Sequence, residues 1–217
     1  LTTGTRNSSL GSFALGAATT GQYNTAIGTY AIQTQTTADH NTAVGYNAGG
    51  SITTGFQNTI VGSLAGDAIT TGDYNVFMGV NAGSYTTTGT RNIGIGMQAY
   101  YGVGTGERNV VIGDEAGRSM TSANQNTVVG ARSGYAITTG AWNALFGFDS
   151  GKAITTAAYN TGFGTLTLEK ITTGQHNAVL GYAALDNENT GGDNTAVGSG
   201  ALTTQQGASH NTAVGRL

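Results

Sequence analysis

Large apolar side chains recur along this chain every 17 residues, each run opened by an asparagine and closed by a glycine. Asn stands at 7, 24, 41, 58, 75, 92, 109, 126, 143, 160, 177, 194 and 211, and Gly follows four residues after each, from Gly11 to Gly215. With the asparagine as slot 1, slot 4 is always large and apolar, from Leu10, Ile27 and Val44 through Phe146 and Phe163 to Val214. Slot 8 is always small, mostly Ala with Ser133, Ser150 and Thr167 as variants. Slot 12 is aliphatic through much of the array (Ile52, Ile69, Val103, Met120, Ile137, Ile154, Ile171) and leads into paired threonines. A spacing of four between slots 4, 8 and 12 suits a helix by itself. Repeated Gly, β-branched runs and Thr pairs oppose one, and short β-rich segments punctuated by Gly and Asn read as strand and turn.

A strictly periodic chain of short strands closes its core by stacking copy on copy. The predicted fold is therefore all-β, a parallel β-solenoid of about twelve 17-residue coils, and strands roughly 4.8 Å apart would make it a rod on the order of 55–60 Å long. Equivalent slots become columns. Asn24, Asn41, Asn58, Asn75, Asn92, Asn109, Asn126, Asn143, Asn160, Asn177 and Asn194 are expected to form a ladder of side-chain amides, and the glycine column to mark a corner of positive φ. If slot 4 points inward, alternation turns slot 3 outward. Ile60, Phe77, Val111, Val128, Leu145 and Val179 would then form an apolar stripe on which copies pack in a three-fold bundle. The alternative is a corner that turns both slots inward.

Composition narrows the function. Only 9% of residues are charged, against roughly 25% in ordinary soluble domains, so the surface is polar through hydroxyls and amides. A net charge of −3 supplies no basic field for phosphate backbones, and nucleic acid is not an expected partner. The absence of Cys removes disulfides and thiolate chemistry. The absence of Pro suits a backbone whose N–H groups serve a ladder. No apolar run approaches the roughly 20 residues of a membrane span, so direct insertion of this segment is not expected. Leu1-Thr2-Thr3-Gly4 matches Ile52-Thr53-Thr54-Gly55, and Leu217 stops in mid-repeat. Residues 1–217 are thus expected to be one repeat array taken from a longer fibre protein.

Candidate chemistry is sparse. His40, His176 and His210 all fall in slot 17, and the last two stand two coils apart, roughly 10 Å, too far to share a metal. Asp114-Glu115 is an adjacent carboxylate pair whose members diverge on an extended strand. Gly94-Ile95-Gly96-Met97-Gln98-Ala99 fits GxGxxA without the strand-then-helix context a nucleotide needs, and Gly147 to Lys152 falls one residue short of a P-loop. No catalytic residue, metal or cofactor is therefore assigned. Slot 17 does place Trp142, Tyr159 and His176 in consecutive coils, a strip of flat side chains suited to sugar rings or to another apolar surface. Slot 10 sets Lys152 next to Glu169 for an exposed pair worth at most about 1 kcal/mol. Thr53-Thr54, Thr70-Thr71, Thr138-Thr139, Thr155-Thr156 and Thr172-Thr173 raise ice binding as a rival function, with one exposed Thr per pair. Gln35, Glu188 and Gln205 break slot 12 toward the two ends.

Asn24-Thr-Ala-Ile-Gly28, Asn41-Thr-Ala-Val-Gly45 and Asn194-Thr-Ala-Val-Gly198, each with a small residue three places on, resemble the head repeat of trimeric autotransporter adhesins, the YadA-like head. Similar arrays occur in phage tail-fibre proteins. The resemblance rests on about five of the seventeen slots and implies a left-handed parallel β-roll, homotrimeric assembly, a place on a cell or virion surface, and attachment to surface glycans or matrix proteins. The resulting expectation is a non-enzymatic structural or adhesive rod of an extracellular fibre, with ice binding second and a polysaccharide-acting tail-spike enzyme third.

Overall fold

The computed structural model describes residues 4–102 and 104–216. Val103 of slot 12 and the terminal Leu1-Thr2-Thr3 and Leu217 lie outside the described residues. Among the described residues there is no helix. The regular elements are three-residue strands, one per repeat in slots 2 to 4. They are β1 Ser8–Leu10, β2 Thr25–Ile27, β3 Thr42–Val44, β4 Thr59–Val61, β5 Val76–Met78, β6 Ile93–Ile95, β7 Val110–Ile112, β8 Thr127–Val129, β9 Ala144–Phe146, β10 Thr161–Phe163, β11 Ala178–Leu180, β12 Thr195–Val197 and β13 Thr212–Val214. The fold is an all-β parallel solenoid with one 17-residue repeat per turn, as the periodicity predicts.

The chain divides into two units, Leu1–Arg108 and Asn109–Leu217. In the first, β1 to β6 pair in chain order, all parallel, with each residue opposite its equivalent in the next coil, as in Thr42↔Thr59 and Val44↔Val61. In the second, β7 to β13 do the same. Zero register shift is what turns slots into columns.

The asparagine ladder forms inside both units. The Asn58 side-chain oxygen accepts from the backbone N–H of Asn75 at 3.0 Å and from its amide nitrogen at 3.1 Å. The Asn58 amide nitrogen donates to Asn41 Oδ1 at 3.0 Å and to the Gly72 carbonyl at 2.9 Å. Asn143 repeats this in the second unit, accepting from Asn160 and donating to Asn126 Oδ1 and to the Ala157 carbonyl. Two donors and two acceptor sites are the full capacity of a primary amide, so these side chains are buried with every polar valence used. Aspartate lacks the donors, and an apolar residue would strand its neighbours' groups.

Slot 5 glycines adopt φ between +128° and +142°. A Cβ on Gly45 would meet the Gly62 carbonyl oxygen at 2.5 Å, and one on Gly130 the Gly147 oxygen at the same distance. Positive φ and this close approach of backbone to backbone both require glycine.

The phase of the strand reverses the expectation for slots 3 and 4. Alternation holds, but slot 1 is inside with its amide ladder, so slot 3 is inside with it and slots 2 and 4 face out. Ile60, Phe77, Val111, Val128 and Leu145 are fully buried within a single chain and Val179 is 3% exposed, whereas Leu10 is 72% and Leu180 55% exposed. The six residues expected to form an outward trimer stripe are core residues, and a side chain enclosed by its own coil has no surface to offer a second copy.

The core is completed by slots 8, 12 and 15 and by slot 9, which complements slot 3 in volume. In five of the six coils where slot 3 is large, slot 9 is glycine: Ile60 with Gly66, Phe77 with Gly83, Val111 with Gly117, Val128 with Gly134, Leu145 with Gly151; the sixth sets Val179 with Leu185. Where slot 3 is small, slot 9 is large in all but the coil of Ala43 and Gly49: Ala26 with Ile32, Gly94 with Tyr100, Gly162 with Leu168, and those three large residues are fully buried. A Cβ on Gly83 would sit 2.6 Å from the Phe77 ring, and one on Gly151 2.7 Å from Leu145 Cδ1. Either slot can supply the bulk that fills one layer of the coil, and where slot 12 is also aliphatic two large groups there would overlap.

Candidate functional site

Two outward columns carry the surface features. The first is slot 17, the residue before each ladder asparagine, which adopts left-handed φ near 55–63° in every described coil despite carrying a side chain. That conformation swings the side chain out of the coil and along the stack. Trp142 and Tyr159 lie with centroids 5.0 Å apart and planes 1° from parallel, and Tyr159 and His176 follow at 4.9 Å and 6°. In the first unit Tyr23 and His40 stack at 4.7 Å and 7°, with the Arg6 guanidinium 5.1 Å from the Tyr23 centroid and that of Arg91 5.2 Å from Tyr74. The centroid separations match the rise between strands.

The expected strip of Trp142, Tyr159 and His176 is therefore assembled, about half exposed at Trp142 and Tyr159, in a form the sequence did not reveal. Each ring covers its neighbour's face, so the stack shows solvent its edges. Stacking on a sugar needs a free face. An edge-on strip suits contact with another apolar surface better than a platform for sugar rings.

The second column combines slot 4 with slot 6, on either side of the corner glycine. Met78 and Val80, Phe163, and Leu180 and Tyr182 are all more than two-fifths exposed, as are Tyr46, Met97 and Phe148. Phe146 and Phe163 stack at 4.4 Å and 10°. Slots 2 and 4 carry no charged residue in any coil, so this strand face is uncharged in both units. Slot 4 was read as core because it is invariably large. The signal that assigns the core correctly is the reciprocal size of slots 3 and 9, visible in the sequence alone.

Charged groups lie elsewhere, mostly in slots 7, 10 and 17. Lys152 does not pair with Glu169 as its column suggested; its Nζ lies 3.3 Å from Asp149 Oδ2 in its own coil, where Arg132 also binds at 2.6 Å. Asp149 is nearly buried and takes both cations. Glu115 turns to Arg118 at 3.5 Å. Burial pushes the Asp67 carboxyl above its ordinary value against a hydrogen bond from Ser84, and it raises Asp186 against the attraction of Lys170. His40, His176 and His210 are exposed, the last 3.7 Å from Asp193. Among the described residues no group of three His, Cys, Asp or Glu side chains is placed to hold a metal ion, and no helix is long and apolar enough to cross a membrane.

Searches of family models, of curated proteins and of solved structures return no match to this chain, and the parallel β-solenoid itself is the classification that the structure establishes.

Proposed function

We propose that this chain is a structural and adhesive element, a shaft or head, of an extracellular or virion surface fibre, and that it works as a homotrimer without catalysing a reaction. The observation that carries this reading is the outward column of slot 4, large and apolar in every coil, flanked at slot 6 by exposed Tyr46, Val80, Met97, Phe148 and Tyr182 and interrupted there by Asp114 and Arg216. Contiguous apolar surface of this kind marks an interaction site. Identical coils in register allow a second copy to meet the same surface at every step, and closed symmetry satisfies all copies alike. The likeness of Asn-Thr-Ala-Val-Gly to adhesin heads supports three chains and a surface location. The edge-on aromatic strip at Trp142 adds an apolar contact toward host or matrix molecules, repeated on each chain so that weak contacts add up.

Light scattering at micromolar concentration tests the assembly. A three-chain mass is expected for the native chain and a single-chain mass for Leu180→Lys combined with Tyr182→Lys, with the β-rich circular dichroism retained. A native single-chain mass would remove the reading. On a glycan or matrix-protein array, Trp142→Ala should weaken any binding seen.

One observation favours ice binding as a second reading. Slot 13 hydroxyls are spent on the next coil's carbonyl, as from Thr53 to Thr70 at 3.1 Å and from Thr138 to Thr155 at 3.2 Å. Slot 14 threonines are instead exposed and follow one another at coil spacing within each unit, Thr54, Thr71 and Thr88 in the first and Thr139 and Thr156 in the second. Thermal hysteresis in the native chain would support it, and its absence at millimolar concentration would end it.

A further inference from the structure

Slot 12 holds Ile154 and Ile171 in two successive coils and then Glu188. In this coil slots 3 and 9 are both large, Val179 and Leu185, and both are buried, so the interior does not call on slot 12 for apolar bulk. The Glu188 side chain is nonetheless fully buried. Its Oε1 accepts the backbone N–H of Asn189 at 2.9 Å, Thr190 at 3.0 Å, Gly191 at 2.7 Å and Gly207 at 2.7 Å, and its Oε2 accepts that of Ala208 at 3.1 Å. Three of these donors belong to coil 177–193 and two to coil 194–210.

In other turns the backbone N–H groups of this corner go to a main-chain carbonyl of the next coil, which the slot 13 hydroxyl also reaches. Thr53, Thr54 and Gly55 all donate to the Thr70 carbonyl of the next coil, and Thr138, Thr139 and Gly140 all donate to Thr155. At 189–191 the equivalent N–H groups turn to the carboxylate instead. One side chain has taken over the inter-coil bonding that the polypeptide ladder supplies in other turns.

We propose that Glu188 is an acid-releasable clasp, whose buried carboxylate makes the fastening of coil 194–210 onto coil 177–193 depend on pH. A carboxylate accepts all five N–H groups, whereas a protonated carboxyl turns a donor toward donors and must give some of them up. Burial alone would raise this carboxyl, but the N–H groups of Gly191, Ala208, Gly207 and Thr190 outweigh it and hold the group below its ordinary 4.5. A depressed folded pKa gives stabilisation that is whole above the unfolded value and is lost as pH falls through the folded one, so release belongs below pH 4.5. The other titratable groups of these coils have partners or positions of their own. Lys170 of the preceding coil acts on Asp186 and bonds Asn187, and Asp193 faces His210. Glu169, His176, Tyr182 and Arg216 complete the set, and no charged side chain acts on the Glu188 carboxylate.

Amide hydrogen exchange on the full chain, corrected for the intrinsic pH dependence, reads this directly. Between pH 6 and pH 3.5 the Gly191, Gly207 and Ala208 amides should lose protection by a factor of up to about ten, while those of Thr53, Thr54 and Gly55 keep theirs. Glu188→Gln should show that loss already at pH 6 and little further change in acid. Native protection that persists to pH 3.5 at those three amides, or a Glu188→Gln chain as protected as the native one at pH 6, would overturn the proposal. The native pH series decides between these results unaided, so misfolding of the variant does not blunt the test.

Discussion

Slots 17 and 1 are neighbours in the chain, and both recur from coil to coil as columns within each unit, yet they obey different rules. Slot 1 is inside and is asparagine in every repeat. Slot 17 is outside and passes through Arg, Tyr, His, Gln, Trp and Asp. Inside, each amide answers for four hydrogen bonds with no water to replace them, and only one side chain has that shape and that donor and acceptor set. Outside, a neighbour asks only for a flat group to lie against, since water satisfies the polar edges. Burial sets how narrowly a column specifies its residue.

Breaking the inner column should cost most. Asn143→Leu strands the Asn160 backbone N–H, a donor of the Asn160 amide and the Ala157 carbonyl, an expected loss of about 3–9 kcal/mol at roughly 1–3 kcal/mol for each buried group, read from urea unfolding. Asn143→Asp should be nearly as harmful, because the retained oxygen does not replace the two donors.

The core beside it sharpens the comparison, because slots 3 and 9 are inside yet exchange their contents. Leu145→Gly should cost about 3–5 kcal/mol and Gly151→Leu about 1–3 kcal/mol through overlap. The double variant copies the Gly162 and Leu168 arrangement of the following coil and should recover most of the loss. A coupling energy near zero in that cycle would show that the two positions do not share one volume.

The outer column should be the most forgiving. Tyr159→Ala removes ring contacts with Trp142 and His176 and should cost about 1–2 kcal/mol. Tyr159→Arg, which restores a flat group like that of Arg6 over Tyr23, should lie close to the native stability. If alanine and arginine behave alike at 159, planarity is not what the column selects.

Much of this was legible from the period alone. One residue type fixed at every seventeenth position gave the coil, the amide ladder and the glycine corner, because a column that tolerates a single side chain announces itself. What was not legible was the phase of the strands. Each has only three residues, too few for alternation to reveal which side is wet, and the invariably large slot 4 imitated a core. The asparagine decided the matter by being buried, and the compensating pairs Phe77 with Gly83 and Gly94 with Tyr100 recorded the true interior. The Lys152 pairing was missed for another reason. Stacking suggested Glu169, but Asp149 was within reach in the same coil and already buried. The exposed column of Trp142, Tyr159 and His176 could be read as a column but not as edge-on, since ring tilt follows from the left-handed backbone at slot 17. That backbone does leave a trace. Thr, Val and Ile crowd the rest of the chain and are absent from slot 17, where a branched Cβ would clash.

The glycine corner also makes the array modular. Each coil presents the next with the same backbone socket, Gly45 under Gly62 and Gly130 under Gly147, and asks of its neighbour only another glycine in that place. Whole repeats can therefore be spliced in or out without rewriting the joint, whereas a deletion of sixteen residues would misalign every column beyond it. Reach becomes a quantity set by copy number, in increments of one strand spacing, and a designer could adjust it without touching the ends.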